Sequence, residues 1–93
     1  MTVYAVQYRY SPELAGERQS ARPQHNEWLQ SLIARGTALC TGPFADGSGG
    51  LLIFESPSRL DLDEILAGDP FSVHNLIHET VIHEWKPLHG RVG

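Results

Sequence analysis

The chain has 93 residues with a formal net charge of −4 and a single cysteine, Cys40. That length suits one domain spanning 1–93, and one cysteine excludes an internal disulfide. Apolar residues at 41% and charged residues at 19% exclude a disordered polyampholyte, and without any cluster of Lys and Arg the acidic balance argues against a nucleic-acid partner.

Residues 2–10 alternate. Tyr4, Val6, Tyr8 and Tyr10 fall on one side, and Val3, Ala5, Gln7 and Arg9 on the other. A period of two with aromatic and β-branched residues predicts a strand. Ser11 to Glu17 holds Pro12 and Gly16 and reads as a loop. A helix is predicted from about Ser20 to Gly36, with Pro23 in its first turn, where a missing N–H is harmless. Trp28, Leu29, Leu32 and Ile33 form its apolar stripe. His25 precedes Trp28 by three residues and Leu29 by four, so it shares that stripe and should point inward. Thr37 to Phe44 reads as a second strand and Leu51 to Glu55 as a third, joined through the Gly-rich turn Ala45–Gly50. Ser58 with Asp61 three residues on predicts a capped helix carrying Leu62, Ile65 and Leu66 and ending at Gly68. Asp69-Pro70 opens a further turn of helix or an irregular link, and Ile77 to Lys86 reads as a fourth strand, stopped by Pro87. The tail Leu88–Gly93 is expected to be loose.

The order β-α-β-β-α-β predicts a ferredoxin-like α+β sandwich: a four-stranded antiparallel sheet with both helices on one face. The uncovered face predicts a homodimer. Tracing strand directions brings the start of the first helix, the 42–50 turn and Gly68-Asp69-Pro70 to one rim of the sheet. His25 and Asp69, far apart in the chain, are thereby expected at the same end. An imidazole held by a carboxylate has a fixed tautomer and one free nitrogen for proton transfer. The same residues also fit structural roles: Asp69 as a helix cap before Pro70, His25 as a hydrogen-bonded core histidine. Arg22 stands beside the pair and suits either an anionic substrate or plain solvent; Tyr8 and Phe71 are candidates for a pocket wall or, more simply, for core packing.

Arg22-Pro23-Gln24-His25 before an apolar helix, Gly42-Pro43 closing the second strand and Asp69-Pro70-Phe71 after the second helix resemble the YCII-related domain family, from Val3 to Pro87. The resemblance implies a dimeric α+β barrel fold and a His–Asp active-site pair, carried here by His25 and Asp69. Some relatives are associated with the breakdown of chlorinated aromatic compounds.

The expectation is therefore a small homodimer working by acid–base chemistry on a small organic molecule, of isomerase or lyase type. His25 and Asp69 would be catalytic, and Arg22, Tyr8 and Phe71 substrate-binding. No cofactor or metal is implied. His78 and His83 fall on opposite faces of a strand, Cys40 reads as a small hydrophobe, and Gly47–Gly50 lacks the lysine of a phosphate loop. The alternative is a non-catalytic ligand-binding or dimerisation module of the same fold. No apolar run reaches the ~20 residues of a membrane span. The N-terminus lacks a signal-peptide pattern, so a cytoplasmic location is expected.

Overall fold

The structure is a computed structural model that describes residues 1–91. Its elements are strand β1 (Thr2–Arg9), helix α1 (Ala15–Ala34), strands β2 (Ala38–Pro43) and β3 (Gly49–Ser56), helix α2 (Arg59–Ala67), a short helix α3 (Pro70–Val73) and strand β4 (Glu79–Glu84). The sheet order is β2-β3-β1-β4, antiparallel throughout. The fold is a ferredoxin-like α+β sandwich, as the sequence pattern predicts.

The tyrosine row of β1 faces the helices. Tyr4 pairs with Phe54, Val6 with Leu52 and Tyr8 with Gly50 across β3, and Tyr4, Val6, Tyr8, Leu52 and Phe54 are all buried. Leu32 of α1 and Leu62 and Leu66 of α2 close the core above them. Each such side chain stabilises the fold by roughly 1.5–3 kcal/mol through removal from water. The other row, Ala5 and Gln7 with Ile53 and Leu51 of β3 and His83 and Val81 of β4, lies on the uncovered face.

Several boundaries differ from the sequence reading. The first helix starts at Ala15, not near Ser20, and a single 3-10 turn, Pro12–Leu14, leads into it. Ser11–Glu17 is thus mostly helical. Tertiary contacts outweigh the local breaker signals there: Arg18 is buried and donates to the backbone carbonyls of Ser11 and Leu76. Pro23 consequently lies in the helix interior instead of the first turn, and His25 sits at mid-helix. The inward stripe is Arg18, Ala21, His25 and Leu32, with Trp28 and Leu29 half-buried and Ile33 exposed. Strand β3 begins two residues early, at Gly49, because β1 runs so close there that only a glycine fits opposite Tyr8 and Arg9. Strand β4 is shorter than Ile77–Lys86, although the Trp85 N–H adds one more bond to the Val3 carbonyl. Leu88 to Arg91 carry no regular structure; Val92 and Gly93 of the predicted loose tail lie outside the described residues.

Candidate functional site

Helix α2 ends at Gly68, and the next residue turns back into the core. Asp69 is an N-cap: its backbone is extended (φ −64°, ψ 125°) and its Oδ1 accepts from the Phe71 N–H at 2.9 Å, with Pro70 at the first helical position. A cap residue is usually exposed. Here the side chain is fully buried.

Two further donors converge on that carboxylate. His25 Nδ1 lies 2.7 Å from Asp69 Oδ1, and the Tyr8 hydroxyl donates to Oδ2 at 2.8 Å. A carboxylate only accepts, so Nδ1 carries the hydrogen and the tautomer leaves Nε2 with its lone pair. The imidazole is clamped on one face by Phe71, ring centroids 3.9 Å apart and planes parallel, with Trp28 6.2 Å away. The ring is thus fixed in position by stacking and in orientation by hydrogen bonding.

Nε2 has no protein partner, yet among the described residues no enclosed side-chain nitrogen or oxygen lacks one. It opens instead into a cleft of about 310 Å³ between α1 and the ends of β1, β2 and β3. Arg22, Asn26 and Gln30 of α1, spaced four apart, line one side with His25, and Thr41 and Gly42 of β2 line the other. Leu29, Leu52 and Pro43 supply apolar wall, and Tyr10 stands at the mouth of β1 over the bare backbone of Gly50.

Burial, followed by the charge of Asp69 and the hydrogen bond to it, pushes the Tyr8 phenol far above its ordinary range. Tyr8 is thus a permanent donor to Asp69. Tyr10 is also raised, chiefly by burial and against the pull of the Arg22 guanidinium.

The sequence-derived candidates sort into two groups. His25 and Arg22 line the cleft. Asp69, Tyr8 and Phe71 lie behind His25, where they hold its ring. Tyr8 and Phe71 are almost completely buried and are not among the cleft-lining residues, so the expected pocket wall is built from other side chains. Tyr10, Asn26 and Gln30 were not singled out by sequence. Their signal is spacing: Tyr10 continues the Tyr8 row, and Asn26 and Gln30 follow Arg22 by one and two turns. His74 and His78 flank the loop before β4, and among the described residues no three of His, Cys, Asp and Glu gather into a metal site. Cys40 is a free thiol on β2, paired with Ile53.

A ferredoxin-like sheet with a buried imidazole–carboxylate pair opening on a rim cleft defines the class. The family model of the YCII-related domain matches residues 2–86, and the chain belongs to that family. No curated protein matches the chain. Among solved structures it is similar to 5-chloro-2-hydroxyhydroquinone dehydrochlorinase (TftG) from Burkholderia phenoliruptrix AC1100, in complex with 2,5-dihydroxybenzoquinone, at 24% identity, 95% coverage of both chains and a TM-score of 0.81. It is also similar to Rv0793 from Mycobacterium tuberculosis, at 18% identity, 98% of both chains and a TM-score of 0.58. An antibiotic biosynthesis monooxygenase matches at 19% identity, over 94% of this chain and all (100%) of the other, with a TM-score of 0.54. At these identities the likeness is one of fold. Among the described residues no helix is long and apolar enough to cross a membrane.

Proposed function

We propose that the protein is a homodimeric acid–base enzyme acting on a small organic molecule, of isomerase or lyase type. The observation that carries this reading is the 2.7 Å contact of His25 Nδ1 with buried Asp69, with Nε2 left open to a cleft. His25 is the group that moves the proton. Nε2 takes it from a C–H or O–H of the substrate, and the electron pair left behind passes into the conjugated frame. In an isomerisation the imidazolium returns the proton at another atom. In an elimination the pair expels a leaving anion, and the imidazolium then gives its proton to water. Asp69 stabilises the imidazolium and keeps the ring from rotating; Tyr8 and Phe71 position these two. Proton transfer of this kind contributes about 10²–10⁴-fold in rate. Proton transfer by an imidazole requires no cofactor.

A hydroxylated, quinone-like ring as substrate is supported by the cleft size and by the 2,5-dihydroxybenzoquinone bound in the TftG structure. The direct test uses 5-chloro-2-hydroxyhydroquinone in D2O, with chloride release and deuterium uptake followed together by electrode and proton NMR. Turnover by the native protein and a loss of about 10²–10⁴-fold in His25→Ala is the expected result. Equal rates in the two proteins refute the role given to His25; no turnover by either removes this compound as the substrate.

The dimer is supported by the uncovered sheet face. Leu51 and Trp85, each more than 40% exposed, stand there with the half-buried Ala5 and Val81. Such a patch is costly in water unless a second copy covers it. Light scattering should give twice the 10.3 kDa chain mass, and Leu51→Glu should halve it. A native monomer at micromolar concentration would end the dimer proposal.

A further inference from the structure

The cleft has an electrostatic character that proton transfer alone does not require. Arg18 is 4% exposed, yet no carboxylate pairs with it among the described residues; its guanidinium donates to the carbonyls of Ser11 and Leu76 and lies 4.4 Å from the Tyr10 ring centroid. Arg22 has no carboxylate partner among the described residues either, and its Cζ sits 5.6 Å from the centroid of Phe71, the ring that stacks on His25. Against these two guanidiniums the site holds one carboxylate, Asp69, which is sealed behind the imidazole. No Asp or Glu lines the cleft. One positive charge is therefore left over at this rim of a protein whose net charge is −4. Of the two arginines, Arg22 is exposed and lines the cleft, whereas Arg18 is buried against Tyr10 and does not line it. An anion arriving in the cleft supplies the missing charge.

The shape narrows the ligand further. At ~30 Å³ per water, the cleft holds about ten, the room of a single ring with its substituents. Leu29 and Leu52 offer apolar surface, while Tyr10, Asn26, Gln30 and Thr41 offer neutral hydrogen-bonding groups around it. Because the phenol of Tyr10 is held protonated by its burial, its hydroxyl is a donor. Gly50 keeps the floor open: a Cβ there would stand 3.7 Å from the Tyr10 hydroxyl and 3.2 Å from the Gly42 carbonyl oxygen.

We infer that the cleft selects a small planar anion, one ring with an ionised oxygen, seated with its charge toward Arg22 and the Tyr10 hydroxyl and its reacting edge at His25 Nε2. Arg18 is a positioning residue, holding Tyr10 upright and adding its charge from behind. This inference deepens the acid–base reading and rests on the same cleft, but its test reads binding, not turnover, so each can fail alone.

The test compares 4-hydroxybenzoate with 4-hydroxybenzamide, a charged and a neutral probe of nearly one shape, by 15N–1H NMR titration of the full chain. The benzoate should bind at least about 10-fold more tightly and perturb the amides of Arg22, Asn26 and Gly50. Arg22 is exposed, so Arg22→Met should fold as the native protein does; it should lose about 10- to 100-fold in benzoate affinity, with benzamide unchanged. Tyr10→Phe should lose about 3- to 10-fold for benzoate. Arg22→Lys should recover part of the lost affinity, because charge remains while the planar fork does not. Equal binding of the two probes, an equal loss for both in Arg22→Met, or no binding of benzoate at 10 mM (roughly 100-fold above an ordinary weak-ligand Kd) overturns the inference.

Discussion

Asp69 accepts from three groups, the Tyr8 hydroxyl, His25 Nδ1 and the Phe71 N–H, and the cost of removing it depends on which of them remain. In Asp69→Ala the Tyr8 hydroxyl is left as a buried, unpaired donor, which costs about 1–3 kcal/mol, and the imidazole N–H costs a similar amount. Loss of the cap on α3 adds about 0.5–2 kcal/mol. The sum, about 2.5–8 kcal/mol, is about half of a stability of about 5–15 kcal/mol for a domain of this size. Tyr8→Phe alone removes a hydrogen bond to a charged group and should cost about 1.5–3 kcal/mol. In the Asp69→Ala background the same change should cost nothing, or stabilise, because it deletes an orphaned hydroxyl. Urea melts followed by the fluorescence of Trp28 and Trp85 measure all four proteins. Trimethylamine N-oxide extends the folded baseline of the weakest. The expected coupling is about 2 kcal/mol or more. If Tyr8→Phe costs the same in both backgrounds, the hydroxyl and the carboxylate do not form the pair described, and the account of how His25 is held fails with it.

Two further predictions concern the same rim. Because the folded state holds the Tyr8 proton to higher pH than the unfolded chain does, the folded protein binds more protons above about pH 10. Stability that is fully present below that pH should therefore fall as pH rises, by up to about 1.4 kcal/mol per pH unit from this residue; Tyr8→Phe should fall less steeply between pH 10 and 11, and identical slopes would show that Tyr8 titrates normally. Gly49→Ala should destabilise by at least about 2 kcal/mol in thermal or urea melts, since its Cβ would overlap the Tyr8 carbonyl oxygen and lie 2.9 Å from the carbonyl carbon; a variant as stable as the native chain would mean that β1 and β3 are not so close.

The sheet, the order of its strands' directions and the shared rim of His25 and Asp69 are legible because they follow from local rules. The alternation in residues 2–10 has the period of a strand, Ser58 and Asp61 have the spacing of a cap (3.1 Å from Asp61 N to the Ser58 hydroxyl), and Asp69 before Pro70 marks a helix start. The inward direction of His25 follows from its separation of three and four residues from Trp28 and Leu29, whatever the helix's true beginning. That beginning was not legible. Gly16 and Pro23 carry the local signals of a loop and a first turn, and they are overruled by Arg18, whose guanidinium ties α1 to Leu76, 58 residues away in sequence.

The partner of Tyr8 lies equally beyond local rules. Its hydroxyl meets Asp69 across 61 residues, and only packing brings them together. From sequence, Tyr8 and Phe71 are apolar rings of the kind that line either a core or a cleft. The choice between those fates depends on which side of His25 they pack, and that is a property of three dimensions. Periodicity reports which face a residue occupies; it carries no information on which distant group meets it there. The residues of one element therefore disclosed the histidine, and the contacts between elements decided what holds it and what surrounds its free nitrogen.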